Sequence, residues 1–158
     1  KRTVDDSLIV PSIFVEKMSG NIGLGIDYVP VAELGSGTGS NDDEETDGAN
    51  KASAELASHT TLYVIAQSDS GIYFRAGMSF ADVDTTETLA TGDSYGNAST
   101  EGLMAAVGYS RNLDNGLFIR GELSSTDYDD VEITSTGGSK VKANIDASAF
   151  TLSLGKAF

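Results

Sequence analysis

Ile13-Phe14-Val15-Glu16-Lys17-Met18-Ser19-Gly20-Asn21-Ile22-Gly23-Leu24-Gly25-Ile26-Asp27-Tyr28 reads as two strands folded back on a tight turn. Gly20-Asn21 supplies the residue types that two-residue hairpin loops need, because their central positions adopt positive φ. With that loop Ser19 faces Ile22, and the pairing continues as Val15 beside Ile26 and Ile13 beside Tyr28. One face of the hairpin is then apolar. The other carries Phe14, Glu16, Gly25 and Asp27. A slip of one residue would move every apolar side chain to the wrong face, so the clean sorting itself supports this register.

Two further hairpins sort in the same way. Residues 60–67 and 72–82, joined by a three-residue Asp69-Ser70-Gly71 loop, set Leu62, Val64 and Ala66 against Met78, Ala76 and Phe74. Behind them lie Thr61, Tyr63, Gln67, Tyr73, Arg75, Gly77 and Ser79, with Tyr63 opposite Gly77. Residues 102–113 and 117–128, joined through Asp114-Asn115-Gly116, place Leu103, Val107 and Tyr109 on one face with Leu117, Ile119 and Leu123. Gly108, Ser110, Arg120, Glu122 and Ser124 fall on the other. Long polar connections over residues 35–55, 85–100 and 130–142 alternate with these short turns. Seven strand-like segments result, within one domain spanning residues 1–158.

Composition narrows the class. Hydrophobic residues make up only 39% of 158 and there are 18 glycines, which argues against a packed helical protein. No apolar run approaches the roughly 18–20 residues that a spanning helix needs, but a membrane barrel requires only alternation. A formal charge of −14 makes nucleic acid a poor partner. Without cysteine there are neither disulfides nor thiolate metal sites, and no cofactor is expected.

Alternation cannot by itself say which face points inward. A soluble ligand-binding barrel would turn its apolar face in, whereas a membrane barrel turns it toward lipid. The polar face decides for the membrane. Gly23, Gly25, Gly77, Gly108, Ser79 and Ser110 are small enough for a narrow interior. Glu16, Asp27 and Glu122 stand in mid-strand against Arg75 and Arg120, charges that can pair across a lumen. These five residues are expected to form a charge network that plugs the interior. Phe74, Tyr109, Phe118 and Phe158 near the short turns, with Tyr28 and Phe80 higher, read as outward aromatic girdles.

The chain ends Ala149-Phe150-Thr151-Leu152-Ser153-Leu154-Gly155-Lys156-Ala157-Phe158. Phe150, Leu152, Leu154 and Phe158 in steps of two resemble the C-terminal assembly signal of bacterial outer-membrane proteins. One position departs from that pattern: Lys156, third from the end, stands where an aromatic residue is common. Size, connections and terminal strand together resemble the small barrels of the OmpA transmembrane domain and opacity-protein kind. The resemblance implies an all-β, up-and-down antiparallel transmembrane β-barrel of eight strands. It also implies the bacterial outer membrane as location, with the long loops extracellular. Implied partners are outer-membrane lipid and lipopolysaccharide, the barrel-assembly machinery, and an extracellular ligand or phage. Seven strands leave the first and last running the same way, so an eighth is expected ahead of residue 1.

Other constellations carry less. Asp42, Asp43, Glu44, Glu45 and Asp47 crowd the first long connection, and Asp127, Asp129 and Asp130 open the third. Clustered carboxylates suit hard divalent cations, and those last three are weak metal candidates; a solvated, self-repelling loop surface explains the acids as well. His59 is the sole histidine and has no nucleophile-elbow motif beside it, so no enzyme is expected. Pro11 and Pro30 fall opposite one another and should splay the first strand pair there. A structural or interaction barrel with acidic outer loops is therefore the expected function. A small-solute porin-like channel is the alternative, followed by a lipid-modifying barrel enzyme and a soluble ligand-binding barrel.

Overall fold

The computed structural model describes residues 9–41, 48–89, 92, 94–138 and 140–158. They form β1 (Ile13–Ser19), β2 (Ile22–Val29), β3 (Ala32–Asn41), β4 (Gly48–Gln67), β5 (Ile72–Thr88), β6 (Ala98–Asn112), β7 (Leu117–Tyr128), β8 (Val131–Thr134), β9 (Lys140–Ala143) and β10 (Asp146–Lys156). The main sheet runs β1-β2-β4-β5-β6-β7-β10, antiparallel at every step, and curls into a half-barrel. β2 and β3 pair with successive halves of the 20-residue β4, so they are one strand interrupted at Pro30-Val31. The all-β, up-and-down antiparallel architecture expected from the hairpins is the one observed.

The registers follow from turn chemistry. Gly20, at φ 63, occupies the first central position of its loop, and Ser19↔Ile22, Val15↔Ile26 and Ile13↔Tyr28 pair as the two-residue turn requires. The Ser68 N–H donates to the Ile72 carbonyl at 2.8 Å, which closes the three-residue loop and aligns Leu62↔Met78, Val64↔Ala76 and Ala66↔Phe74. In the third hairpin Val107 faces Leu123, while Leu103 and Tyr109 face Asp127 and Gly121. At the other end of the first hairpin, pairing between β1 and β2 stops at Ile13 and Tyr28, just inside Pro11 and Pro30. Two residues without a backbone N–H end that ladder.

Two expectations need correction. The long connections are not wholly irregular: β3 and β4 continue as a ladder to Asn41 and Gly48, β5 reaches Thr88, and β8 pairs with β9 inside the third. Thr, Ser and Ala in these stretches have no apolar alternation to announce a strand, yet their backbone groups still pair with a neighbour. Phe118 also turns inward, not outward. Leu117 and Ile119 face out, so period two sends Phe118 in, where its ring lies 6.1 Å from that of Phe14.

The convex face carries most of the apolar surface. Leu24, Leu103, Leu123, Phe74, Phe150, Leu152 and Leu154 are all at least 60% exposed. Along β5 the outward series Ile72, Phe74, Ala76, Met78, Phe80 ends at Asp82. That run covers about 26 Å of strand at ~3.3 Å per residue. The concave face holds most of what is buried, including Tyr63, Ile65, Tyr73, Met104 and Ala106 together with Arg75, Arg120, Glu122, Thr61, Ser79 and Ser110.

β1 and β10 are the two edges. Among the described residues each has a single neighbour, β2 and β7 respectively, and the expected eighth strand is not among them. Six antiparallel steps separate the edges, so they run the same way. Between them lies a cleft of about 690 Å³ lined by residues 12–18, by Phe118 and Arg120, and by residues 154–158.

Candidate functional site

Strand alternation turns every second side chain onto the concave face, and the curl brings non-adjacent strands within reach of each other there. All five charged residues singled out in mid-strand meet on this face. Arg75 on β5 forks onto Glu122 of β7, with Nη1 3.0 Å from both carboxylate oxygens, and its Nη2 lies 3.5 Å from Asp27 of β2. Arg120 on β7 reaches across to Glu16 of β1 at 2.7 Å. Apart from Asp27, at 19%, each of these side chains is less than 10% exposed.

Aromatic rings knit the two ion clusters into one. The Tyr63 hydroxyl donates to Glu16 at 2.8 Å, while the Arg75 guanidinium lies 3.6 Å above the Tyr63 ring. Arg120 is flanked by Phe118 at 4.6 Å and Tyr73 at 5.0 Å. A desolvated guanidinium over a ring gains about 2 kcal/mol from the ring quadrupole, which helps offset burial of the charge. Glycines make room for the rings. A methyl group on Gly25 would overlap Tyr63, one on Gly108 would overlap Tyr73, and one on Gly155 would overlap Phe118. Tyr63 pairs with Gly77 as expected, but its ring leans the other way, across the neighbouring strand onto Gly25. Which side a ring leans to is set by packing against both neighbours, and one hairpin read alone cannot supply that.

Toward the long connections a smaller cavity of about 200 Å³ is bordered by Asp27, His59, Thr61, Arg75, Glu122 and Tyr128, among others. His59 Nε2 lies 2.7 Å from the Tyr128 hydroxyl, and Thr61 and Ser79 hydroxyls pair at 2.8 Å. Tyr128 is a residue that strand reading passed over; its period-two position opposite Gly102 was the available signal. Nothing in this group is arranged as a nucleophile with a base and an orienting acid.

The remaining predicted residues lie elsewhere. Phe150, Leu152, Leu154 and Phe158 are all outward and exposed on or just beyond the β10 edge. The metal candidates do not hold together. Asp127 is exposed in the β7 ladder, facing Leu103 and Asp146, and Asp130 is engaged by Lys142 at 2.7 Å and by Asn144 at 3.1 Å. Among the described residues no three His, Asp or Glu side chains converge on a point that could hold a metal ion. Asp42, Asp43, Glu44, Glu45 and Asp47 lie outside the described residues. Comparison of the chain with protein-family models, with curated proteins and with solved structures yields no match.

Proposed function

We propose that this chain is a bacterial outer-membrane barrel domain of the OmpA transmembrane and opacity-protein kind, a structural and interaction element whose interior is plugged by its own side chains. One observation carries the reading: the fold buries ions and tyrosines while presenting leucine, isoleucine, valine and phenylalanine outward on strand after strand. Soluble monomers rarely expose contiguous apolar patches beyond a few hundred Å². A lipid-facing surface needs such a belt, about 25 Å tall. β4 supports the same view. Its 20 residues extend over about 66 Å at ~3.3 Å each, roughly twice the ~30 Å hydrocarbon thickness. The β3–β4–β5 extension would then project beyond lipid, where its polar residues and the acidic connection meet solvent, lipopolysaccharide or an extracellular ligand. The exposed terminal strand offers Phe150, Leu152, Leu154 and Phe158 to assembly machinery.

Leu24, Val64, Ala76 and Ala105 lie on one ladder row midway along the belt. Val64→Arg and Leu24→Arg should each destabilise the protein in phospholipid vesicles by about 2–4 kcal/mol, as charges near a bilayer midplane do. Vesicle flotation and urea titration read the effect. A chain that stays monomeric and folded without detergent or lipid, and becomes more soluble with either arginine, would refute the reading. The plugged interior predicts no conductance steps in planar bilayers.

A further inference from the structure

The edges β1 and β10 have a definite hydrogen-bonding phase, and it specifies what fits between them. In the two-residue hairpin Ser19 and Ile22 form the bonded pair, so Lys17, Val15 and Ile13 bond toward β2. Phe14, Glu16 and Met18 therefore point their N–H and C=O groups into the cleft. On the opposite side, the Ala157 N–H donates to the Gly116 carbonyl at 2.8 Å, which sets the alternate residues Gly155, Ser153 and Thr151 toward β7. Phe150, Leu152 and Leu154 thus point their backbone groups into the cleft from that side. Facing the gap are inward residues on β1 and outward residues on β10. A strand running opposite to both meets this condition, because its inward residues bond to one side and its outward residues to the other.

We propose that the cleft between β1 and β10 is the seat of one extended peptide strand, antiparallel to both edges, with apolar side chains outward and small uncharged ones inward. The inward preference follows from the wall. Glu16 is already engaged by Arg120 and Tyr63, and the Phe14 and Phe118 rings stand 6.1 Å apart, so another charge or ring has neither counterion nor room. Two other occupants fit less well. An acyl chain would leave the backbone groups of both edges without partners. A second copy pairing edge to edge would need the sheet to open, which would break the Glu16–Arg120 pair that spans β1 and β7. The outward half of the pattern rests on the lipid-facing reading, whereas the backbone half does not.

The test uses the full 158-residue chain in detergent micelles and a synthetic peptide of about ten residues, the length of a spanning strand, alternating leucine with glycine or serine. Amide exchange at Phe14, Glu16 and Met18 and at Phe150, Leu152 and Leu154 should slow at least tenfold at both edges together. A nitroxide on the peptide's amino end should broaden Ser19 and Lys156, and one on its carboxyl end should broaden Ile13 and Ala149. A peptide of the same composition with its leucines in one block should do neither. Folding of the chain only when the alternating peptide is present would also support the proposal. Protection at one edge alone, a reversed nitroxide pattern, protection by lipid without peptide, edge protection accompanying dimer formation, or a chain left unfolded with the peptide would each overturn it. Micelle pairing without vesicle insertion would reject the membrane reading alone.

Discussion

Arg75 is the cation on which the concave face depends most, and replacing it by methionine separates what the ion pair contributes from what burial costs. The substitution keeps much of the side-chain volume but leaves Glu122, 7% exposed, without the Nη1 group that its two oxygens share, and Asp27 without the guanidinium 3.5 Å away. Orphaning a buried carboxylate in this way costs about 3–5 kcal/mol. Glu122→Met should cost somewhat less, about 3 kcal/mol, because the stranded guanidinium keeps Asp27 and the Tyr63 ring. The double variant removes both charges of the tight pair, and a well-packed apolar replacement of a buried pair is often near neutral. Asp27 remains as the residual liability, which puts the double variant at about 1–2 kcal/mol. The coupling energy is then on the order of 4–7 kcal/mol, above the ~0.5–3 kcal/mol usual for contacting pairs. Urea unfolding in micelles reads all four proteins; far-ultraviolet circular dichroism is the probe, since the chain has no tryptophan. If the two single losses sum to that of the double within about 0.5 kcal/mol, the charges are not coupled and the plug described above is wrong.

Gly25→Ala, Gly108→Ala and Gly155→Ala should each cost about 1–3 kcal/mol by forcing Tyr63, Tyr73 and Phe118 off their seats. Gly121→Ala serves as the control, since the nearest atom to its added methyl is 3.9 Å away; equal losses at all four would point to strand propensity instead of ring contact. In the β8–β9 hairpin the hydrogen bond and charge of Lys142 hold the Asp130 carboxyl below its ordinary value, and Asp130 raises Lys142. Their mutual stabilisation is therefore present from above the ordinary carboxylate range to below the ordinary lysine range. It is lost as pH falls through the lowered Asp130 value or rises through the raised Lys142 value. A carbon-13 titration should place Asp130 below the ordinary carboxylate range in the intact protein and return it upward in Lys142→Met; an unchanged titration would remove the pair from the account.

Much of this arrangement was legible because hairpins convert residue order into geometry. Once Gly20-Asn21 and Asp69-Ser70-Gly71 set the turns, the facing of Glu16, Asp27 and Arg75 followed by counting in twos. Arg120 and Glu122 followed equally from the third hairpin. Pairings between non-adjacent strands were not legible, since curl and strand tilt decide whether Arg75 meets Glu122 or Glu16, and neither is local. Phe118 was misplaced by its apolar character although the parity of Leu117 and Ile119 already turned it inward. The polar ladders of β3, β4 and β5 were missed for a different reason: alternation reports burial on one face, and where both faces are polar the backbone pairs without leaving a signature.

Glu16 ties the plug to the open edge. It belongs to β1, a strand with one neighbour among the described residues, yet its carboxylate is bound by Arg120 on β7, the strand next to the opposite edge. Phe14 and Phe118 repeat the same connection with a ring contact. These two contacts resist flattening of the sheet, so the curl is set by side chains that cross the interior as well as by backbone pairing between neighbours. They also restrain the separation of β1 from β10, because β7 is bonded to β10 along its whole length. The small inward residues Gly25 and Gly108 permit that tight curl, since bulk there would displace the Tyr63 and Tyr73 rings on which Arg75 and Arg120 lie. The features that fill the interior therefore act as spacers for the edge, and an enlarged side chain at Gly25 should disturb the β1–β10 cleft as well as the charge network beneath it.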